Sequence, residues 1–207
     1  MAEPSPLPLR FFARDVLTVA PALLGQHLCR EGVVLRITEV EAYRWPGDTA
    51  CHARSGRTER NDAIWGPPGR AYVYLCYGIH NMLNVVTGAD GEAQAVLVRA
   101  CEPVEGLAEI ERRRGGKQGP VLLAGPGKIG QALGLDLSWC HHALYEPKGL
   151  TLYAGTVPSA IAVGPRVGID YAEPEHVALP WRFADADSRW VTHRKGLAAW
   201  EGTVIEI

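Results

Sequence analysis

The sequence predicts a single α+β domain in which strands outnumber a few short helices. Three observations predict it. Apolar segments rich in Val, Ile, Leu and Tyr alternate with Gly and Pro punctuation. Helical spacing is confined to short runs. No repeat, low-complexity tract or linker divides the 207 residues, a length that at about 150 residues per domain suggests one domain, two at most.

The elements follow in chain order. Residues 1–10 hold three prolines and read as a loose arm. Thr18 is a candidate cap for a short helix over Val19–Leu24, with Pro21 in its first turn and Gly25 as its stop. Strand-like runs follow at Gln26–Arg30 and Val33–Ala42, joined by Glu31-Gly32. Residues 44–70 lack a sustained period and read as loop with one helical turn at most. The strongest strand signal is AYVYLCY (71–77), the bend GIHN (78–81) and MLNVVTG (82–88), which together predict a β-hairpin. Ala93–Ala100 is another strand. Glu105–Arg114 reads as a helix closed by Gly115-Gly116. A Gly-rich basic loop over 115–127 precedes a helix at Lys128–Leu133. Later strands are expected at Leu150–Ala154, Ala160–Val163 and Trp181–Ala184.

Composition narrows the function. Hydrophobic residues make up 47% and charged residues 21%, which excludes a disordered or coiled-coil chain. No apolar run approaches the roughly 18 residues of a membrane span, and the N-terminus lacks a signal-peptide pattern. The five cysteines are odd in number and scattered, which fits free thiols in a reducing compartment. Net charge is −2, but the charge is segregated. Arg112, Arg113, Arg114, Lys117 and Lys128 form a run without acids, and Arg54, Arg57 and Arg60 face one Glu. A local basic surface and ordinary solvated faces are equally compatible with that pattern.

Several side chains could carry chemistry. Glu41 ends an apolar run, and period-2 alternation places it on one face with Glu39 and Tyr43. A carboxylate beside an aromatic ring can serve as a general base, or can be an edge charge facing water. Tyr72 and Tyr74 share a face, while Tyr77 points away unless the bend twists it. Such rings stack on bases or cations, or pack a core. His52, His141 and His142 lack metal-ligand spacing. AGPGKIG (124–130) fails the P-loop pattern but sets a Lys and small residues at a helix start, enough for one or two phosphates. The residues alone leave open a non-catalytic nucleic-acid binder with aromatic stacking platforms and a small-molecule hydrolase or metal enzyme built on His52, His141 and His142.

Taken together, the segments ITEVEAYRWPGDTACHARSGRTERN (37–61), GRAYVYLCYGIHNMLNVV (69–86), AVLVRACEPVEG (95–106), GPGKIGQALG (125–134) and GPRVGI (164–169) resemble the alkyladenine (methylpurine) DNA glycosylase family. They stand in family order over about residues 10–183. The resemblance implies one mixed domain over 1–207, with a curved, antiparallel-rich sheet, short surrounding helices and a protruding hairpin that enters the DNA minor groove. It implies an enzyme that flips an alkylated purine out of duplex DNA and hydrolyses its N-glycosidic bond. 3-Methyladenine and 7-methylguanine are the expected substrates, and hypoxanthine and ethenoadenine are further candidates.

By the same resemblance Glu41 is the general base that activates water, and Arg99 helps to hold that water. Tyr43, His52 and Tyr74 are the walls around the flipped base, and Asn84 crowds the amine of normal guanine. Tyr77 is the side chain wedged into the duplex. Arg57, Arg60, Lys128 and Arg166 fall in segments that touch the DNA backbone. His80 and Asn81 depart from the more apolar hairpin tip of the family. No metal or other cofactor is implied. The expected partner is double-stranded DNA with damaged purines, the expected state a monomer, and the expected place the cytoplasm of a bacterium, at the nucleoid.

Overall fold

A computed structural model describes residues 5–205 of the chain. Nine strands among them form one antiparallel sheet that does not close. β1 (His27–Arg30) and β2 (Val33–Trp45) are joined by Glu31-Gly32, both in the left-handed region at φ 50° and 75°. That pair of positive angles matches the right-handed twist of the flanking strands. β3 (Ala71–Cys76) and β4 (His80–Val86) form the predicted hairpin, and β5 (Ala93–Glu105) pairs β4. β6 (Thr151–Tyr153), β7 (Ile161–Gly164), β8 (Arg182–Asp185) and β9 (Ala198–Ala199) complete the sheet. Its order is β3-β4-β5-β2-β8-β7-β9, with β1 beside β2 and β6 beside β1.

β2 is the spine. β5 runs along one edge, while β1 takes the first half of the other edge and β8 the second half. The β2–β5 ladder contains two compensating bulges. Ile37 pairs with Cys101 and Glu39 with Ala100, so Thr38 is the extra residue on β2. Val40 then pairs with Val98, so Arg99 is the extra residue on β5. Bulges bend a strand and re-aim a side chain, and they concentrate beside functional sites.

Four short helices pack into the core on one face: α1 (Leu9–Phe12), α2 (Val16–Leu23), α3 (Leu107–Arg113) and α4 (Pro126–Leu133); α5 (Pro174–Val177) lies outside that core, with His176 against Thr49 and Arg166. Val40, Ala42, Val96 and Val98 meet α2 and α4 in that core. A smaller cluster on the opposite face gathers Cys51, Ala53, Ile64, Tyr72, Val86 and Ala95, with Tyr43 and Tyr74 against it. The alternation of β2 thus divides the protein: Val40 and Ala42 serve the large core, and Glu39, Glu41 and Tyr43 face the other way.

Several boundaries differ from the sequence expectation. Of the arm expected over 1–10, residues 1–4 lie outside the described range. From Pro6 onward the chain is tied down: Pro6 bridges Tyr153, and the Leu7 N–H donates to the Leu152 carbonyl at 2.8 Å. Leu7, Phe11 and Phe12 are buried, and such burial stabilises by about 1.5–3 kcal/mol per side chain. α2 starts three residues before Val19, because Asp15 and not Thr18 caps it, accepting from the Leu17 N–H at 2.9 Å. The segment 44–70 holds two 3-10 helices, His52–Ser55 and Glu59–Trp65. α3 begins at Leu107 because Glu105 still belongs to β5 and Gly106, at φ 76°, makes the turn between them. No helix among the described residues is long and apolar enough to cross a membrane.

Candidate active site

A cavity of about 520 Å³ opens on the face of the smaller cluster, within the usual range for ligand sites. Tyr43, Tyr72, Tyr74, Asn84 and Leu97 line it from successive strands. Arg99, His52 and the segment Val167–Ile169 with Tyr171 complete the wall.

Glu41 lies behind this wall, not in it. Its side chain is fully buried. Oε2 accepts from the Tyr43 hydroxyl at 2.8 Å and from Arg99 Nη1 at 3.3 Å, and Oε1 accepts from the Val167 N–H at 2.7 Å. All three donor residues line the cavity. A buried carboxylate needs such partners. Burial, and then the Glu41 charge, hold the Tyr43 hydroxyl well above its ordinary pKa, so it stays protonated and donating. Arg99 is shared. Its Nε donates to Glu39 Oε1 at 3.3 Å. Burial pulls the guanidinium pKa down, but Glu41 and Glu39 outweigh it and hold the group charged.

The aromatic walls are in contact with one another. The His52 and Tyr74 rings stand edge to face, 4.6 Å between centroids and 77° between planes. Pairs at that separation are in direct contact, so no third ring fits between these two as they stand. His52 Nδ1 also lies 2.9 Å from the Tyr72 hydroxyl. Burial, and then Arg60 and Arg54, lower the His52 pKa; burial raises that of Tyr72. Asn84 is buried at the cavity wall and donates to the Tyr72 carbonyl at 3.1 Å.

Tyr77 sits in the three-residue connection of the hairpin. It is 90% exposed, and its backbone is left-handed at φ 51°. A bulky residue there is a conformational outlier, and such strain gathers at functional sites.

The four residues expected at the DNA backbone divide. Arg57 is exposed and pairs with Asp62 at 2.6 Å. Arg60 is exposed at the cavity rim and donates to the Leu75 carbonyl at 3.3 Å. Lys128 is half-buried and donates to the Ala124 carbonyl at 2.7 Å. Arg166 does not fit the expectation. Its side chain is 0% exposed, bonds to both Asp48 oxygens at 2.6 and 2.8 Å, and reaches the carbonyls of Ala42 and His176. Its guanidinium carbon lies 4.7 Å from the Tyr43 ring centre and 5.1 Å from that of Trp181. Arg166 is an internal brace for Tyr43, because Asp48 supplies a buried counter-charge that solvent or phosphate would otherwise supply.

The basic run 112–128 is also largely committed. Arg112 and Arg113 pair with Glu109, and Arg114 bonds Gln131 and the Leu122 carbonyl. Two glycines inside α4 pack against the hairpin. A Cβ on Gly127 would meet His80 at 2.7 Å, and one on Gly130 would overlap the Asn81 carbonyl.

The three histidines of the metal reading are engaged separately. His52 lines the cavity, His141 lies 3.8 Å from Asp62, and His142 meets the Leu150 carbonyl at 2.9 Å. Among the described residues no group of three or more His, Cys, Asp or Glu side chains could hold a metal ion.

Sequence reasoning missed two contributors. Tyr171 lines the cavity, donates to the Ala50 carbonyl at 2.9 Å and carries Arg54 over its ring at 4.6 Å. The Val167 N–H holds Glu41. Nothing periodic marks either residue; only their position in or just after GPRVGI points to them.

Comparison with known proteins bears on the family of the chain. The sequence matches the family described as methylpurine-DNA glycosylase over residues 10–189. A protein of Nitrosococcus oceani with 3-methyladenine DNA glycosylase in its name is 65% identical over 191 residues, covering 92% of this chain and 95% of its own. The Arabidopsis thaliana DNA-3-methyladenine glycosylase is 56% identical over 191 residues, covering 91% of this chain and 75% of the plant protein. A Carboxydothermus hydrogenoformans protein, also with 3-methyladenine DNA glycosylase in its name, is 45% identical over 194 residues.

Proposed function

The chain belongs to the methylpurine-DNA glycosylase family, and from that premise we propose that it is a monofunctional DNA-3-methyladenine glycosylase. It takes alkylated purines from duplex DNA as a monomer and leaves abasic sites. The observation that carries this reading is the buried Glu41 carboxylate, held by three residues that each line one aromatic cavity.

The reaction begins with extrusion of the damaged nucleotide. Unstacking and unpairing cost a few kcal/mol, least for a damaged pair. Tyr77 fills the vacated gap as other minor-groove binders do with inserted side chains. The everted base enters the cavity, with Tyr43 on one side and the His52–Tyr74 corner on the other. 3-Methyladenine and 7-methylguanine are cationic as nucleosides, and aromatic faces favour a cation by roughly 0.5–2 kcal/mol. A neutral His52 adds no opposing charge. Asn84 crowds the exocyclic amine of normal guanine.

Hydrolysis then needs a water and a carboxylate. Each carboxylate oxygen accepts at about two positions, and Oε1 of Glu41 accepts from the Val167 N–H. The attacking water occupies the corner bounded by Tyr43, Arg99 and Val167, gives its proton to Glu41 and adds to the sugar carbon as the purine departs. The carboxylate also stabilises positive charge developing on the sugar, as in glycoside hydrolysis. No lysine lines the cavity, which supports attack by water over a Schiff-base route.

The test is a panel of duplexes, each with one damaged base, assayed for abasic sites. Glu41→Gln should lower release by about 10²–10⁴-fold while DNA binding persists. Full activity in that variant would remove Glu41 from the mechanism.

A further inference from the structure

We propose that Glu39 is a positioning residue for the reaction centre, holding Arg99 in place beneath Glu41 and setting the charge felt at the attacking water. The inference rests on Glu41 acting as the base.

Glu39 is fully buried, as is Glu41. Both carboxylates share the Arg99 guanidinium, Glu39 through Nε and Glu41 through Nη1. The bulge at Arg99 makes the sharing possible: the residue is extra in β5, opposite the step from Glu39 to Val40. Glu39 is the better-anchored of the pair. Thr192 donates to it from its N–H at 2.6 Å and from its hydroxyl at 2.7 Å, and Arg182 Nη1 donates at 3.1 Å. Arg182 is itself fixed to the carbonyls of Pro165, Thr192 and His193. Glu39 is not a wall of the cavity, so it touches no substrate and acts through Arg99.

The charges around the pair balance. Arg99 of β5 and Arg182 of β8 offset Glu39 and Glu41 of β2, and the Arg166–Asp48 pair stands behind Tyr43. Replacing Glu39 by a neutral residue leaves the cluster one positive charge in excess. Arg99 is then committed to Glu41 alone. The proton-accepting power of the site falls, and a cationic purine and a developing sugar cation both meet repulsion. A bound carboxylate whose negative neighbour is removed keeps its charge to lower pH.

The experiment compares the full chain with Glu39→Gln, Glu39→Asp and Glu41→Gln by single-turnover excision of 7-methylguanine from a duplex, from about pH 5 to pH 9. In Glu39→Gln the plateau should fall by about 10–100-fold, since a misplacement of about 1 Å at a reacting centre can cost about 10²-fold. Its acid limb should move to lower pH, and affinity for a duplex with a stable abasic-site analogue should change less than about threefold. Glu39→Asp, which keeps the charge, should recover part of the rate. A purely structural role would lower the amplitude without moving the limb, and that result overturns the proposal. A Glu39→Gln rate within twofold of the parent, beside an inactive Glu41→Gln, also overturns it and leaves the base assignment standing. Full activity in Glu41→Gln removes the base assignment itself. If Glu39→Gln does not fold, Thr192→Val decides: a fall of about 3–10-fold at unchanged affinity supports the role, and a rate within twofold of the parent overturns it.

Discussion

Arg166 lies against the ring of Tyr43, its guanidinium carbon 4.7 Å from the ring centre, and is held there by both oxygens of Asp48. The pair converts a basic side chain in a Gly/Pro loop into a brace for a cavity wall. Removing one partner of a buried ion pair costs about 3–5 kcal/mol because the other charge is left unpaired. Arg166→Met and Asp48→Asn should each lower Tm by about 6–20 °C in a chain of this size. Arg166→Met should leave the salt dependence of DNA binding unchanged. Arg60→Ala, at the exposed rim, should reduce the slope of log K against log salt by about 0.9 if it neutralises one phosphate. Equal slope changes for the two variants would return Arg166 to the DNA surface.

The approach of α4 to the hairpin makes Gly130 irreplaceable by alanine. In most helix interiors Gly→Ala stabilises by about 1 kcal/mol. Here the new methyl would overlap the Asn81 carbonyl, a backbone atom of β4 that cannot step aside. Overpacking typically costs 1–3 kcal/mol, so the steric effect should exceed the propensity gain. Gly130→Ala should be less stable in urea and slower in excision, since it displaces the strand next to Tyr77. Gly127→Ala meets a His80 side chain, which can turn away, and should be milder. A Gly130→Ala protein more stable than the parent would show that the hairpin yields.

How much of this was legible in the sequence depends on how far each feature reaches along the chain. The β3–β4 hairpin is local: alternating Tyr and Val around a Gly bend specify it, and its ends agree within a residue or two. The 3-10 helix Glu59–Trp65 carries a start signal in its Thr58–Asn61 capping box, but a 3-10 run has no 3.6-residue period to extend that signal. The face shared by Glu39, Glu41 and Tyr43 follows from strand alternation. Their burial does not, because Val167 and Thr192, more than a hundred residues away, supply the cover. The burial of Arg166 is illegible for the same reason: its counter-charge, Asp48, comes from 118 residues away.

Tyr77 should show a trade between stability and function. A left-handed backbone costs a residue with a side chain about 1–2 kcal/mol, which glycine avoids. Glycine gives back about 0.5–1 kcal/mol through the entropy of the unfolded chain. The ring is 90% exposed and has little packing to lose. Tyr77→Gly should therefore melt at or slightly above the parent temperature. Excision should fall by about tenfold or more, because the wedge that offsets a flipping cost of a few kcal/mol is gone. Tyr77→Phe should keep most activity. Undiminished excision by Tyr77→Gly would mean that base extrusion does not use this side chain.

His52 should make both stability and substrate choice depend on pH. Burial first, and then Arg60 and Arg54, lower its pKa in the folded state, while the unfolded chain returns it to about 6.5. Between the lowered value and 6.5 the unfolded state binds more protons, so stability rises with pH across that window. The stabilisation is complete above about pH 6.5 and is lost as pH falls towards the folded-state value. His27 is lowered in the same direction, by burial and then by Arg36, so His52→Gln should flatten the slope without abolishing it. Protonating His52 would also set a cation in the cavity and make Nδ1 a donor towards the Tyr72 hydroxyl. Excision of cationic 7-methylguanine should then fall more steeply as pH drops below about 6.5 than that of any neutral lesion the enzyme accepts. Urea midpoints at about pH 5 and pH 7.5, with paired single-turnover rates on the two duplexes, check both parts. Identical acid limbs for charged and neutral bases would show that His52 stays neutral, or that its charge does not reach the bound purine.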